Sequence, residues 1–501
     1  MKRPSLVILL IASLLTATGC PPEPEPEEGL PPVITLDGGN IRQVELGESL
    51  TLSPSFENLT PDAVIQWRSN GTVLAAGPTF TFTPEKAGVF YVTVEVTTAF
   101  GFAFLEIRIE VRNADPVPPS PPDTIPTPPQ PPEPLCCVFE QTEYHVSVGR
   151  AIRLLPLDLD STKHYTFTWS VDGATLQEGE QPLYRFEARS QGTFRIGFRM
   201  SDGEQTADTT LSVIVCPPEG TYRRPAGAGS SPRVTKVHRF LPAPGQYVNE
   251  NYTALTMEEA CAYALHRMEE GNYVSLGGFG GSLVVGFDHS IANDGDYNFA
   301  VKNSVYTNYS EPGVVWVMQD ENGDGLPNDT WYELKGSEYG LDCTVQDYAV
   351  TYYRPDAPAK PVQWSDNHGG SGTIDYLAAY HRQDCYYPLW VQEDRYILRG
   401  TRLEARNYDQ SGHGTFWINP DYGWGYADNF SEVDMIPERA TGITAGCNHF
   451  RISDAVTYDG QPANLQYIDF VKVQTGLNAK SGWLGELSTE VMDVIDFNLV
   501  K

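Results

Sequence analysis

The run PVPPSPPDTIPTPPQPPEP at residues 116–134 limits what this chain can fold into more than any other segment. Each proline fixes φ and removes a backbone N–H, so neither a helix interior nor a central strand can pass through it. The composition predicts a semi-rigid polyproline spacer which, at roughly 3.1 Å per residue, reaches on the order of 60 Å. The chain is therefore divided there. A shorter Pro/Glu segment at 21–32 makes a second linker. For a chain of 501 residues, a prior of roughly 150 residues per domain gives about three domains. We place them at 33–112, 136–216 and 217–501, with linkers at 21–32 and 113–135.

Residues 1–20 read as a secretory signal: Lys2 and Arg3, an apolar run from Leu6 to Leu15, then Ala17, Thr18, Gly19 and Cys20. The last four resemble the lipobox of bacterial lipoproteins, with Ala17 where Leu is commoner. That resemblance implies that Cys20 is the lipidated N-terminus of an outer-membrane, surface-exposed protein. No later run of 18 apolar residues follows, so the lipid is the only expected membrane attachment. The formal net charge of −31 repels nucleic acid and anionic surfaces and favours Ca²⁺ and neutral or cationic partners. Besides Cys20 there are seven cysteines, Cys136, Cys137, Cys216, Cys261, Cys343, Cys385 and Cys447. An odd set leaves at least one free or paired between chains. No CxxC spacing supports a zinc site.

The first two domains repeat one another. Leu46-Gly47-Glu48 leads to Trp67 and Gly71, with Gly88 before the alternating strand VFYVTVEV; Val148-Gly149-Arg150 leads by the same spacing to Trp169 and Gly173, with Gly192 before TFRIGF. Alternating apolar residues between Gly, Asn and Asp turns predict short antiparallel strands, with a strand-C Trp plugging two packed sheets. Both copies resemble polycystic-kidney-disease-type (PKD-like) immunoglobulin-fold domains. Sugar recognition by Trp67 or Trp169 is the alternative to a core role. Cys136 or Cys137 and Cys216 are placed to staple the second copy.

The third region opens with a capping box at Thr256–Glu259, with Met257, Cys261, Ala264, Leu265 and Met268 on one face of a short helix. Strand patterns follow. Gly277–Gly281 lacks the Lys-Ser/Thr of a phosphate loop and reads as tight sheet packing. The fold class expected overall is all-β: two PKD-like sandwiches, then a jelly-roll or galactose-binding-like β-sandwich with one short helix. Between its strands, residues 364–430 alternate aromatics with glycines, including Tyr387, Trp390, Trp417 and Trp424, and carry His368, His381 and His413. Aromatic loops on a rigid sandwich suit a flat or ring-shaped ligand. About half of these aromatics are expected to pack the loops instead, since a pocket needs few anchors. The histidines show no chelating i, i+4 spacing, but a single imidazole can coordinate a metal carried within a ligand. His413, between Gly412 and Gly414, is the first choice.

Within WVMQDENGDGLPNDTWYELKGSE (316–338), Asp320, Asn322 and Asp324 alternate ahead of Gly325, Leu326, Asn328 and Asp329. Oxygen donors at positions 1, 3 and 5, a backbone carbonyl at 7 and glycine at 6 suit a structural Ca²⁺ loop. Position 12 is Trp331 and not Glu, so no EF-hand helix is expected. An acidic Asn-Gly/Asp-Gly turn without metal is the alternative.

The wording of SLGGFGGSLVVGFDHSI, NDGDYNFAVKN, the 316–338 stretch, CYYPLW, IDFVKVQTG and GWLGELSTEV resembles the C-terminal domain of Bacteroidetes surface lipoproteins that bind cobalamin. The resemblance spans most of 230–500. It implies capture of vitamin B12 or a related corrinoid, as ligand and not cofactor, beside a TonB-dependent transporter. A glycan-binding lipoprotein of a polysaccharide-uptake system is the alternative. An enzyme is not expected: there is no Gly-x-Ser-x-Gly elbow, and Ser282 sits in a strand without a placed His. Carboxylate pairs for a carbohydrate-active enzyme are unreadable at this level.

Overall fold

A computed structural model describes residues 30–36, 41–69, 72–84, 86, 88–98, 100–112, 135–157, 159, 163–412 and 414–501. The signal segment with Cys20, His413 and nearly all of the 113–135 linker lie outside these residues. Among these residues the chain is nearly all-β with one short α-helix. It divides into two compact units, 1–126 and 127–501, the boundary falling within the proline run.

In the first unit the strands Ile41–Glu45, Gly101–Arg112, Gly88–Thr98, Val64–Ser69 and Thr72–Ala76 form one five-stranded sheet in that order. The first of these pairs in parallel with Gly101–Arg112 through five residue pairs. Leu50–Leu52 and Phe80–Phe82 form a second layer. Trp67 is 0% exposed between the layers, stacked on Phe80, and its indole N–H donates to the Gly77 carbonyl at 2.9 Å.

The second sandwich repeats this topology. Glu143–Ser147, Thr206–Cys216, Gly192–Ser201, Thr166–Val171 and Ala174–Gly179 lie in the same order, again opening on a five-pair parallel contact. Trp169 is likewise 0% exposed and donates to the Pro182 carbonyl at 3.2 Å. Both tryptophans are therefore core plugs. The expected disulfide is not formed; Cys136, Cys137 and Cys216 are free thiols. Cys137 packs against the sandwich core, whereas Cys216 ends the last strand opposite Ser147.

The C-terminal region is built on a six-stranded antiparallel sheet ordered Lys236–Leu241, Ser282–Ala292, Tyr467–Thr475, Gly313–Met318, Trp331–Leu334 and Ala455–Val456. A four-stranded sheet, Ser371–Ile374, Val362–Asp366, Val345–Tyr353 and Arg395–Arg402, shares its main core. The helix Met257–Glu269 starts at Thr256, whose hydroxyl accepts the Glu259 N–H at 3.2 Å. It buries Ala260, Ala264 and Met268, with Met257, Cys261 and Leu265 at the edge of the core. Gly277–Gly281 is packed as tightly as expected: a Cβ on Gly277 would fall 2.0 Å from the Ala243 carbonyl oxygen, and one on Gly281 1.8 Å from that of Leu276.

The second sandwich is docked, not held off as a spacer, because 127–501 is one unit. Arg150 donates to the Ala463 carbonyl at 2.8 Å and pairs with Glu219 at 2.7 Å. Arg153 makes a two-pronged pair with Asp347, and Arg399 donates to the Leu155 carbonyl at 3.2 Å.

Candidate ligand cleft

Strand alternation puts two chemistries on the two faces of the six-stranded sheet. Val315, Val317, Tyr332, Leu334, Val471 and Val473 face the main core. On the other face Trp316 stands directly between Glu333 and Lys472 on the neighbouring strands, with Trp331 two residues from Glu333. Residues 140–153 of the second sandwich stand over this row and close a cleft of about 180 Å³.

The cleft is aromatic and charged. The Lys472 ammonium lies 4.5 Å from the centre of the Trp316 ring and 4.9 Å from that of Trp331. Burial pulls the Lys472 amine down to about 8, against the carboxylate of Glu140. Burial also pushes the Glu333 carboxyl up to about 7, although the Thr401 hydroxyl donates to it at 2.6 Å. Arg399 approaches Glu140 at 3.4 Å, and Arg153 with its Asp347 partner forms a further wall. The Trp316 indole N–H is buried without a partner.

The acidic loop abuts this cleft through Asp329 and Thr330. Its near end is a ladder of turns. The Asp320 carboxylate accepts the N–H groups of Gly323 and Gly325 at 2.8 and 3.0 Å, the Asn322 side-chain oxygen accepts that of Asp324 at 2.9 Å, and the Asp324 carboxylate accepts that of Leu326 at 2.7 Å. The far end is different: Asn328 Oδ1, Asp329 Oδ1 and Glu321 Oε1 are buried with no hydrogen-bond partner. Burial, and next the Glu321 charge, push the Asp329 carboxyl up to about 9. Glu321 holds the second sandwich by accepting the Ser147 N–H, and the Thr330 hydroxyl donates to the His145 carbonyl at 3.2 Å. Orphaned oxygens at 328–329 fit a hard cation; the oxygens at 320–324 are already satisfied by amides. No group of three or more His, Cys, Asp and Glu side chains suited to a metal ion occurs among the described residues.

The 364–430 block is largely packing. Tyr387 is 0% and Trp390 7% exposed, both in the main core, with the Tyr387 hydroxyl donating to Glu393 and the Arg354 guanidinium over its ring. Expected as ligand contacts, both pack in the main core of this structure. His381 is held by Glu250 at 2.6 Å and lies edge-on to Tyr247, so its ring is engaged within the fold. His368 is exposed on a turn beside Tyr348. Trp417 is half-buried and donates to the Gly414 carbonyl at 3.2 Å. Trp424 lines a separate hollow of about 100 Å³ with Tyr297, Asp434, His449 and Arg451. These residues are not gathered into one pocket. Gly372 makes room for a ring of the block, since a Cβ there would lie 2.6 Å from the Trp364 ring, and Gly482, further along the chain, does the same for Trp417, whose Nε1 would lie 2.8 Å from a Cβ.

A further set of carboxyls, Glu311, Asp428 and Glu490, lies inside this region without a salt-bridge partner among the described residues. The Glu490 N–H donates to Asp428 at 2.8 Å and the Ser488 N–H to Glu311 at 2.9 Å. Burial, and next the Glu490 charge, push Glu311 up to about 8; burial pushes Glu490 up to about 7.

The PKD-like domain family matches residues 31–98. Residues 31–98 are a PKD-like domain. The match ends just before the closing strand Gly101–Arg112, and the second sandwich shares the topology of this PKD-like domain. No curated protein matches the chain. Among solved structures, the fibronectin(III)-like modules of Clostridium thermocellum CbhA are 12% identical, covering 39% of this chain and 100% of theirs at a TM-score of 0.16. Sidekick-1 immunoglobulin domains 1–4 are 18% identical, covering 37% of this chain and 48% of theirs at 0.15. Titin domains z1z2, solved in complex with telethonin, are 16% identical, covering 38% and 98% at 0.15. Scores this low carry no argument about function.

Proposed function

We propose that this chain is a surface-displayed binding lipoprotein, anchored in the outer membrane through Cys20, that captures a small nutrient for uptake by a TonB-dependent transporter. The observation that supports capture is the cleft between the second sandwich and the C-terminal sheet. Two indoles and a few fixed charged groups, on elements already rigidly packed, are the make-up of a preformed small-molecule site. Vitamin B12 or a related corrinoid is the first ligand, on the resemblance of the C-terminal wording. At about 180 Å³ the cleft is below the roughly 300–1,000 Å³ of drug-sized sites. A corrinoid therefore engages it by an edge or a side group, with the bulk of the ring outside. A glycan is the second reading, favoured by the Trp331 ring beside Glu333 and the Arg153–Asp347 pair, since sugars stack on indoles and hydrogen-bond to carboxylates and guanidinium groups.

We read the 320–329 loop as a structural Ca²⁺ loop. The ion would satisfy the orphaned oxygens of Asn328 and Asp329 and hold the edge of the cleft. Isothermal titration of the mature protein with cyanocobalamin and a panel of oligosaccharides tests the capture reading. Binding that is weakened about tenfold or more in Trp331→Ala supports the cleft, the ligand class being whichever binds. Binding unaffected by Trp331→Ala moves the site elsewhere, and no binding of either class overturns the reading.

A further inference from the structure

We propose that Lys472 is an anion subsite, so that the cleft takes its ligand through a singly charged oxyanion, a carboxylate or a phosphate diester, set on the ammonium between Trp316 and Trp331. This deepens the capture reading and rests on it for the body of the ligand, though not for its charge.

The argument starts from pairing. Arg153 is held by Asp347, Arg399 by Glu140, and Glu333 by the Thr401 hydroxyl. Lys472 differs from all of these. No hydrogen bond or salt bridge joins its ammonium to a described residue; what holds it are the two indole faces at 4.5 and 4.9 Å. Cation–π attraction fixes the position of an ammonium without consuming its N–H bonds. Its N–H groups make no hydrogen bond to a described residue and so can donate to a guest. The side chain is immobilised at the centre of the sheet, opposite Val284 and Trp316, so the entropy of ordering a long lysine is already spent before a ligand arrives.

Lys472 is half-buried in the cleft, and an oxyanion there would make charge-assisted hydrogen bonds that a neutral group does not. The neighbours set the charge of the guest. The charges acting on Lys472 are, strongest first, Glu140 of the second sandwich, Arg239, Glu333 and Arg153, with Glu333 two strands away across Trp316. The carboxyls of Glu140 and Glu333 and the guanidinium groups of Arg239 and Arg153 offset one another, so the unpaired ammonium presents one positive charge for a singly charged guest to meet. The alternation that faces Lys472 into the cleft also faces Trp331 and Glu333 there, so a ring carrying the oxyanion has a stacking surface and a hydroxyl partner within reach.

The test uses the full mature protein and two matched pairs of probes: D-glucuronate against D-glucose, and cyanocobalamin against cyanocobinamide, which lacks the nucleotide phosphate diester. Binding is read by titration calorimetry and tryptophan fluorescence. In at least one pair the member that carries the oxyanion is expected to bind about tenfold tighter than its partner without it. Lys472→Met should remove that preference and Lys472→Arg should retain part of it, both with unchanged circular dichroism. If Lys472→Met does not fold, the folded wild-type and Lys472→Arg proteins still decide. Equal binding within both pairs, no binding of either oxyanion-bearing probe, or a preference that survives Lys472→Met overturns the subsite. Corrinoid or oligosaccharide binding that Lys472→Met leaves intact removes the subsite and keeps capture. Lys472-dependent glucuronate binding without corrinoid or oligosaccharide binding keeps the subsite and removes those ligand assignments.

Discussion

Raising the pH should loosen the C-terminal region through Glu311, Asp428 and Glu490, and Glu311→Gln should remove a defined part of that loss. A carboxyl whose folded value lies above its ordinary one keeps its proton longer in the fold than in the unfolded chain. Its contribution is therefore full below the ordinary value and is lost as pH rises towards the folded one. For Glu311 the window runs from 4.5 to about 8, because burial, with Glu490 next to it, raises its carboxyl. Each such group changes stability by at most about 1.4 kcal/mol per pH unit. Between pH 5 and 7 the wild type should thus lose on the order of 2–3 kcal/mol more than Glu311→Gln, whose amide cannot ionise and keeps an oxygen for the Ser488 N–H. Urea denaturation of the full chain at a series of pH values, followed by tryptophan fluorescence, measures both slopes. Identical slopes in the two proteins, or stability that rises from pH 5 to 7, would refute the reasoning.

Chelation with EDTA should lower the melting temperature, and calcium should restore it, if the 320–329 loop holds the ion, because a ligand bound only by the fold stabilises it by mass action; an unchanged melt together with no calcium by elemental analysis sinks the loop as a metal site. Trp169→Ala should destabilise the second sandwich by about 3–5 kcal/mol, the usual cost of emptying a large aromatic site in a core, and a thermal scan showing less than about 1 kcal/mol would contradict its role as plug. Arg153→Ala should leave Asp347 without its partner and increase proteolysis between the second sandwich and the C-terminal region, read by limited digestion; an unchanged pattern would mean the other contacts suffice.

Much of the fold was legible because it is written in local terms. The spacing from Leu46 to Trp67, repeated from Val148 to Trp169, marks two sandwiches with the same strand order. The Thr256 cap and the glycines at 277–281 mark a helix start and a close approach. The site was harder. Aromatics alternating with glycines between 364 and 430 suggest exposed loops, yet Tyr386, Tyr387 and Trp390 are buried in the main core and Gly372 lies under the Trp364 ring. Trp316, Trp331, Glu333 and Lys472 did carry a signal: in VVWVM, WYEL and DFVKVQ they occupy the positions that alternate with the apolar core residues. What could not be read is that residues 140–153 cover them, since those contacts join segments far apart in sequence and depend on how two finished sandwiches meet.

The parallel contact at the edge of each five-stranded sheet has a mechanical consequence, clearest in the second sandwich. There the first strand lies alongside the last and runs the same way, so a pull on the two ends drags those strands past one another lengthwise. Five residue pairs then share the load and have to yield together, whereas an antiparallel contact at the ends would peel open one bond at a time.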